Sequence, residues 1–205
     1  MSGLKEIRNR ISSVSSTMQI TNAMKMVSAA KLKKAQDSIS ATLPYSNKLS
    51  ELIKNISAST DSDDTNPLFE KRDLKNVLII AITSNKGLCG GFNSNIIKEV
   101  NKIKTTSTSK RIDLLTIGKK GDDILSKKFQ VISSHNDVYD NFNYNNIKEI
   151  AETVMQKFSD KEYDEVKLVY NHFKNAATQI VTKEQYLPIQ ESADENNSVS
   201  GDYIF

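Results

Sequence analysis

Cysteine is nearly absent from these 205 residues, where Cys89 stands alone. That excludes an internal disulfide and a cysteine cage for a metal, and it suits a reducing compartment. Histidine is scarce as well. His135 and His172 have no His or Cys companion at metal-ligand spacing, so no zinc-type centre is expected. No apolar run is longer than the VLIIAI of residues 77–82, far short of the roughly 20 residues that cross a bilayer. Residues 1–10 are polar and charged with no apolar stretch behind them, so no secretory signal is expected. Position 2 is Ser2, where N-myristoylation needs glycine. Residues 4–43 contain neither Gly nor Pro, and nothing there interrupts a helix.

That uninterrupted stretch is the dominant feature of the chain. Leu4, Ile7, Ile11, Val14 and Met18 step by three and four. At roughly 100° per residue they fall within about 80° of one another, a narrow stripe of the coiled-coil kind. From residue 20 onward Ile20, Ala23, Met24, Met26, Val27, Ala29, Ala30 and Leu32 point all around the axis. A helix that is apolar on every side is normally enclosed by protein on every side. The pattern continues through Leu49, Leu52 and Ile53, with Pro44 expected to kink or restart the helix. From Leu4 to about residue 57 the helix measures roughly 80 Å, longer than a compact domain of this size is wide. It is therefore expected to project. Charge follows the same geography. Residues 1–36 carry Lys5, Arg8, Arg10, Lys25, Lys31, Lys33 and Lys34 against Glu6 alone, a surface suited to an acidic partner.

The rest of the chain has the texture of an α/β domain. The expected elements are strands at 76–83 and 111–118, a helix at 92–106, a short helix at 122–128 and a short strand at 129–133. A helix at 145–158 follows, then two strands at 164–173 and 178–189 that form an antiparallel pair. The fold expected is α/β: a long N-terminal coiled-coil helix over 1–58, a linker at 59–75, and a Rossmann-like α/β domain at 76–190 with a mostly parallel sheet. A polar segment at 191–205 ends the chain.

Three stretches are candidates for chemistry. Asp61, Asp63 and Thr65 open with calcium-loop spacing, but the sixth position is Asn66 and the twelfth is Arg72, so calcium is rejected. Residues 84–95 (SNKGLCGGFNSN) follow the first strand and open a helix, the place where phosphate loops sit. Their glycines are Gly87, Gly90 and Gly91, which match neither the Gly-x-Gly-x-x-Gly nor the Walker spacing. The loop is read as a tight, close-packed turn, with Cys89 a small packing residue. A nucleotide- or phosphate-binding enzyme using this loop is the alternative reading. A basic helix for nucleic acid is a third, but only Gln19, Asn22 and Gln36 stand beside the lysines as base readers. No catalytic set emerges, no cofactor is implied, and chemistry, if any, belongs to a partner.

LKEIRNRISSVSSTMQITNAMKMVSAAKLKKAQ at 4–36, with PY at 44–45 and SNKGLCGGFN at 84–93, resembles the gamma subunits of the F-type ATP synthases. The likeness runs over essentially all 205 residues, and its two long motifs are specific together. It implies a non-catalytic central rotor shaft that couples proton flow through the membrane sector to ATP synthesis in the beta subunits. The first helix would pair with a C-terminal helix as an antiparallel coiled coil inside the ring of alpha and beta subunits. The α/β domain would meet the epsilon subunit and the membrane c-ring. By the same resemblance Ala23, Met24, Lys25, Met26 and Val27 match the part of the shaft facing the catalytic subunits. Lys5, Arg8 and Arg10 match its basic start. The ending GDYIF resembles the point just before the family's second long helix, so a truncated chain is expected. Neither a plastid-type insertion nor a mitochondrial presequence is recognised, which points to a bacterial enzyme held peripherally on the cytoplasmic side of the inner membrane.

Overall fold

The computed structural model describes residues 2–59 and 66–190. Asp61, Asp63, Thr65 and the segment 191–205 lie outside the described residues. The chain divides into two units, a helix and an α/β body.

The first unit is one helix, α1 (Ser2–Ser59), of 58 residues, about 87 Å at 1.5 Å per residue. Helix is assigned without a break across Pro44, so the expected restart does not occur. A proline removes a single N–H from the ladder, and here the turns on either side carry on regardless. Polar side chains inside the helix turn back on it. Thr17 and Thr21 donate to the carbonyls of Ser13 and Thr17 at 2.9 and 2.8 Å, and Ser38 and Thr42 do the same further along. The helix has no acidic residue in its first turn and no basic one in its last, so neither end is matched to the macrodipole. Its stability must come from a packed partner, as for most helices.

The second unit is a five-stranded sheet in the order β3-β2-β1-β4-β5. Strands β1 (Asn76–Ile82), β2 (Arg111–Ile117), β3 (Gln130–His135) and β4 (Glu165–Phe173) are parallel, and β5 (Gln179–Leu187) runs antiparallel to β4. Helices α2 (Phe92–Thr106), α3 (Lys119–Leu125) and α4 (Tyr144–Ser159) join the parallel strands. The central strand β1 is apolar from Val77 to Ile82 because both its faces are covered. Val77, Ile79 and Ala81 pack with Ile96, Val100 and Ile103 of α2 and Leu125 of α3. Leu78 and Ile80 pack with Ile150, Val154 and Phe158 of α4. Two elements differ from expectation. Helix α3 begins at Lys119, three residues before the expected 122, and β3 runs two residues further, to His135. Gly118, expected to end the strand, is instead the residue on which the chain turns into α3.

Arg72 clamps the segment entering this body. Its Nη1 donates to the carbonyls of Phe158 (2.7 Å) and Tyr163 (3.3 Å), and its Nε and Nη2 bond Glu70 Oε2 at 3.0 and 2.7 Å. The guanidinium lies 4.5 Å from the centre of the Phe158 ring, and its bond to Glu70 lowers the pKa of that carboxyl. Hydrogen bonds to charged groups contribute about 1.5–3 kcal/mol each. Arg72→Leu is therefore expected to lower the stability of the α/β body by about 2–3 kcal/mol in urea titration. Arg72→Lys should recover little of it, because an ammonium cannot reproduce the fork.

Candidate functional site

Every side chain of α1 from Gly3 to Glu51 is exposed. The stripe residues Leu4, Ile7, Ile11, Val14 and Met18 stand 58–65% open, on one face of a helix that shows water a surface it should hide. Ala23, Met24, Lys25, Met26 and Val27 are exposed too, and five consecutive residues cover the whole circumference. Lys5, Arg8 and Arg10 lie exposed near the start. The helix thus brings the shaft residues together as one continuous surface, basic and apolar, with the stripe leading into the all-round segment.

The loop after β1 is built differently from the close-packed turn expected for it. Residues 86–91 are exposed. Gly90 needs its glycine, at φ 58°, but a methyl on Gly87 or Gly90 would meet no atom nearer than 3.9 Å. On Gly91 a Cβ would come 3.0 Å from the Asn95 amide, a side chain of its own helix. Cys89 is exposed and packs into no core. Its Sγ accepts from Asn93 Nδ2 at 3.2 Å, part of a polar knot in which Ser84 N donates to Asn93 Oδ1 at 3.0 Å. Leu88, fully exposed, holds φ 59° at the tip.

The close packing lies one loop away. Gly118 has φ 103°, and a Cβ there would sit 2.1 Å from the carbonyl oxygen of Thr83. Gly121 meets the Thr83 side chain in the same way, at 2.6 Å. Thr83 Oγ1 donates to Gly118 O (3.0 Å) and accepts from Gly121 N (2.9 Å). Asn85 Oδ1 accepts from Lys119 N at 2.9 Å, Ser84 O from Lys120 N at 3.1 Å, and Tyr139 Oη donates to Thr83 O at 2.8 Å. Thr83, Asn85, Gly118, Gly121 and Tyr139 were not singled out from sequence. The available signal was the pair of glycines three apart in TIGKKG, directly after a strand.

This knot occupies part of the backbone at the carboxyl ends of the strands, where open α/β sheets bind ligands. A phosphate cradle needs several free backbone N–H groups. Here those of Ser84, Lys119, Lys120 and Gly121 are all taken by the protein's own oxygens. A depression lined by Arg72, Asp164 and Glu165 lies at the amino end of β4. A polar triad stands nearby as a structural anchor, with Tyr163 and Asp113 buried and Arg111 exposed. Tyr163 Oη donates to Asp113 Oδ2 at 2.7 Å, and Arg111 Nη2 lies 2.6 Å from the same oxygen. Burial, and then the bond to Asp113, hold the Tyr163 phenol far above its ordinary pKa. It stays a proton donor wherever the fold is intact.

Comparison with known proteins agrees with the shaft and not with a nucleotide site. The family model described as ATP synthase matches residues 3–205. The ATP synthase gamma chains of Flavobacterium johnsoniae and Christiangramia forsetii are 53% and 54% identical. The gamma chain of a Geobacter species is 39% identical. Each alignment takes in all of this chain and 72% of the relative. A cryo-electron microscopy structure of the central stalk and c-ring of Tetrahymena thermophila mitochondrial ATP synthase superposes with a TM-score of 0.62 at 31% identity. It covers 82% of this chain and 72% of that one. The chain belongs to the ATP synthase gamma chain family.

Proposed function

We propose that the chain is the central-stalk subunit of an ATP synthase and acts mechanically, with no catalysis of its own. One observation carries this: a 58-residue helix whose side chains are exposed from Gly3 to Glu51, apolar on all sides between residues 20 and 32. Such a surface is stable only inside a protein socket. On this reading α1 is one strand of a shaft. Its Leu4, Ile7, Ile11, Val14 and Met18 stripe seats a second helix, and residues 23–27 face the catalytic subunits. Apolar contact has no fixed direction, so a shaft held by Met24, Met26 and Val27 can turn against its collar without breaking ordered hydrogen bonds at each step. Lys5, Arg8, Arg10 and Lys25 supply attraction to an acidic collar. The partners are the alpha-beta hexamer around the helix, with the epsilon subunit and the c-ring at the α/β body. No described helix is long and apolar enough to cross a membrane. The chain is held by its partners at the cytoplasmic side of a bacterial inner membrane.

The test joins the chain to a second long helix of a close relative and offers it to purified alpha-beta hexamer. One copy should bind per hexamer, with Met24→Glu and Val27→Glu together reducing affinity by about a hundredfold, from the cost of placing charge in an apolar socket. A folded fusion that does not bind the hexamer overturns the reading.

A further inference from the structure

The two faces of the sheet carry opposite charge, and we propose that the basic one is a docking surface for anionic phospholipid headgroups. On the α2–α3 side, Lys98 and Lys102 lie one turn apart on the outer face of α2. Lys119 and Lys120 open α3, and Lys127 and Lys128 follow it. Lys104 ties the two helices together: its Nζ donates to the carbonyl of Lys128 at 2.8 Å and lies 4.4 Å from the centre of the Phe129 ring. Against these stand Glu99, Asp122 and Asp123. Asp122 is spent on Thr116 and Asn136, and Asp123 lies 4.0 Å from Lys120. On the α4 side residues 136–159 hold Asp137, Asp140, Glu149 and Glu152 against Lys148 and Lys157.

The composition of the basic face selects its partner. Protein interfaces are enriched in aromatics and arginine and depleted in lysine. This layer presents lysine only, and its two aromatics, Phe92 and Phe129, are turned at least partly inward. Without stacking side chains it is a poor platform for single-stranded nucleic acid. Mobile point charges fit a diffuse sheet of phosphate, to which each juxtamembrane lysine adds attraction. Ile124, 45% exposed, lies between Lys120 and Lys127 in sequence and is the one large aliphatic exposed on α3, placed to enter the interfacial layer. The inference rests on the proposed function only for placing the body near a bilayer.

The test is cosedimentation of the 205-residue chain with vesicles of phosphatidylcholine alone or mixed with phosphatidylglycerol. Binding should require phosphatidylglycerol and weaken with salt. Lys98→Glu, Lys102→Glu, Lys127→Glu and Lys128→Glu together should weaken it by about a hundredfold or more. The same four positions changed to Gln should give a smaller loss, with circular dichroism confirming that both variants fold. Reversing Lys5, Arg8, Arg10 and Lys25 on α1 should leave it unchanged. No binding to the mixed vesicles, equal binding by the four-Glu variant, loss through the α1 variant, or capture of only RNA or an acidic protein by the face overturns the proposal. Hexamer binding by the fused chain is measured separately. Vesicle binding can therefore fail while the rotor reading stands, and the reverse.

Discussion

Gly118→Val is expected to remove much of the stability of the α/β body, while Gly87→Val leaves it nearly intact. The difference is geometric. At φ 103° and ψ 131° Gly118 occupies a region essentially closed to residues with a Cβ. Holding another residue there costs about 1–3 kcal/mol before any contact is counted. The contact is worse than the strain. A Cβ would sit 2.1 Å from the Thr83 carbonyl oxygen and 2.6 Å from its carbon, and both are backbone atoms that cannot swing aside. Relief requires α3 to retreat, which breaks the bonds from Gly121 N and Lys120 N to Thr83 and Ser84. The total is roughly 4 kcal/mol or more, against the 5–15 kcal/mol by which domains are usually stable. Gly90→Ala should cost about 1–2 kcal/mol, for its left-handed φ alone. Gly87→Ala should fall within about 0.5 kcal/mol of the parent, since its nearest foreign atom is the end of the Lys120 side chain at 3.9 Å. Urea titration of the four variants ranks them. A Gly118→Val protein as stable as the parent would show that α3 can shift without loss and that the knot does not hold the sheet end together.

That ranking also explains what sequence could and could not supply. The strands were legible because β1 is apolar on both faces and β2 nearly so, and α2 and α4 because their apolar residues recur on one side. Even the β4–β5 reversal followed from the short KNAA link. Helix α3 was placed three residues late because Lys119, Lys120 and Gly121 carry no helix signal of their own. Their helix is set by Thr83 and Asn85, which lie far back in the chain and bond its first turn. The glycine-rich loop misled in the same way. Glycine marks freedom of the backbone, but which glycine has a neighbour pressed against it depends on tertiary contact, and Gly118 has Thr83 while Gly87 has open space. On α1 the reverse holds. Among the described residues its surface stands exposed from residue 3 to 51, so its pattern is a local one. Stripe, socket segment and charge could therefore be read directly, and only the uninterrupted passage through Pro44 was not.

Replacing Ile7 and Ile11 by Glu is expected to be the most damaging change to the shaft. Both lie at the centre of the stripe, between Leu4 and Val14, and both are exposed in this chain, at 58% and 64%. Burial of each against a second helix contributes about 1.5–3 kcal/mol. A glutamate left in the seam adds the cost of an unpaired charge in an apolar setting. Together the two changes should remove about 6 kcal/mol of pairing, roughly ten-thousandfold in affinity. In the chain joined to a second long helix, far-UV circular dichroism should then show loss of helix from the shaft, with the α/β body still melting as in the parent. Changing Lys5 and Arg8 to Gln should cost less than about 1 kcal/mol each, as exposed charges do, and weaken hexamer binding without touching helix content. The contrast separates the two roles assigned to the first turns: the apolar positions hold the shaft together, and the basic ones address what surrounds it. If the double Glu protein keeps full helix content and binds the hexamer as tightly as the parent, the stripe faces no partner helix. The reading of α1 as half of a two-stranded shaft would then be wrong.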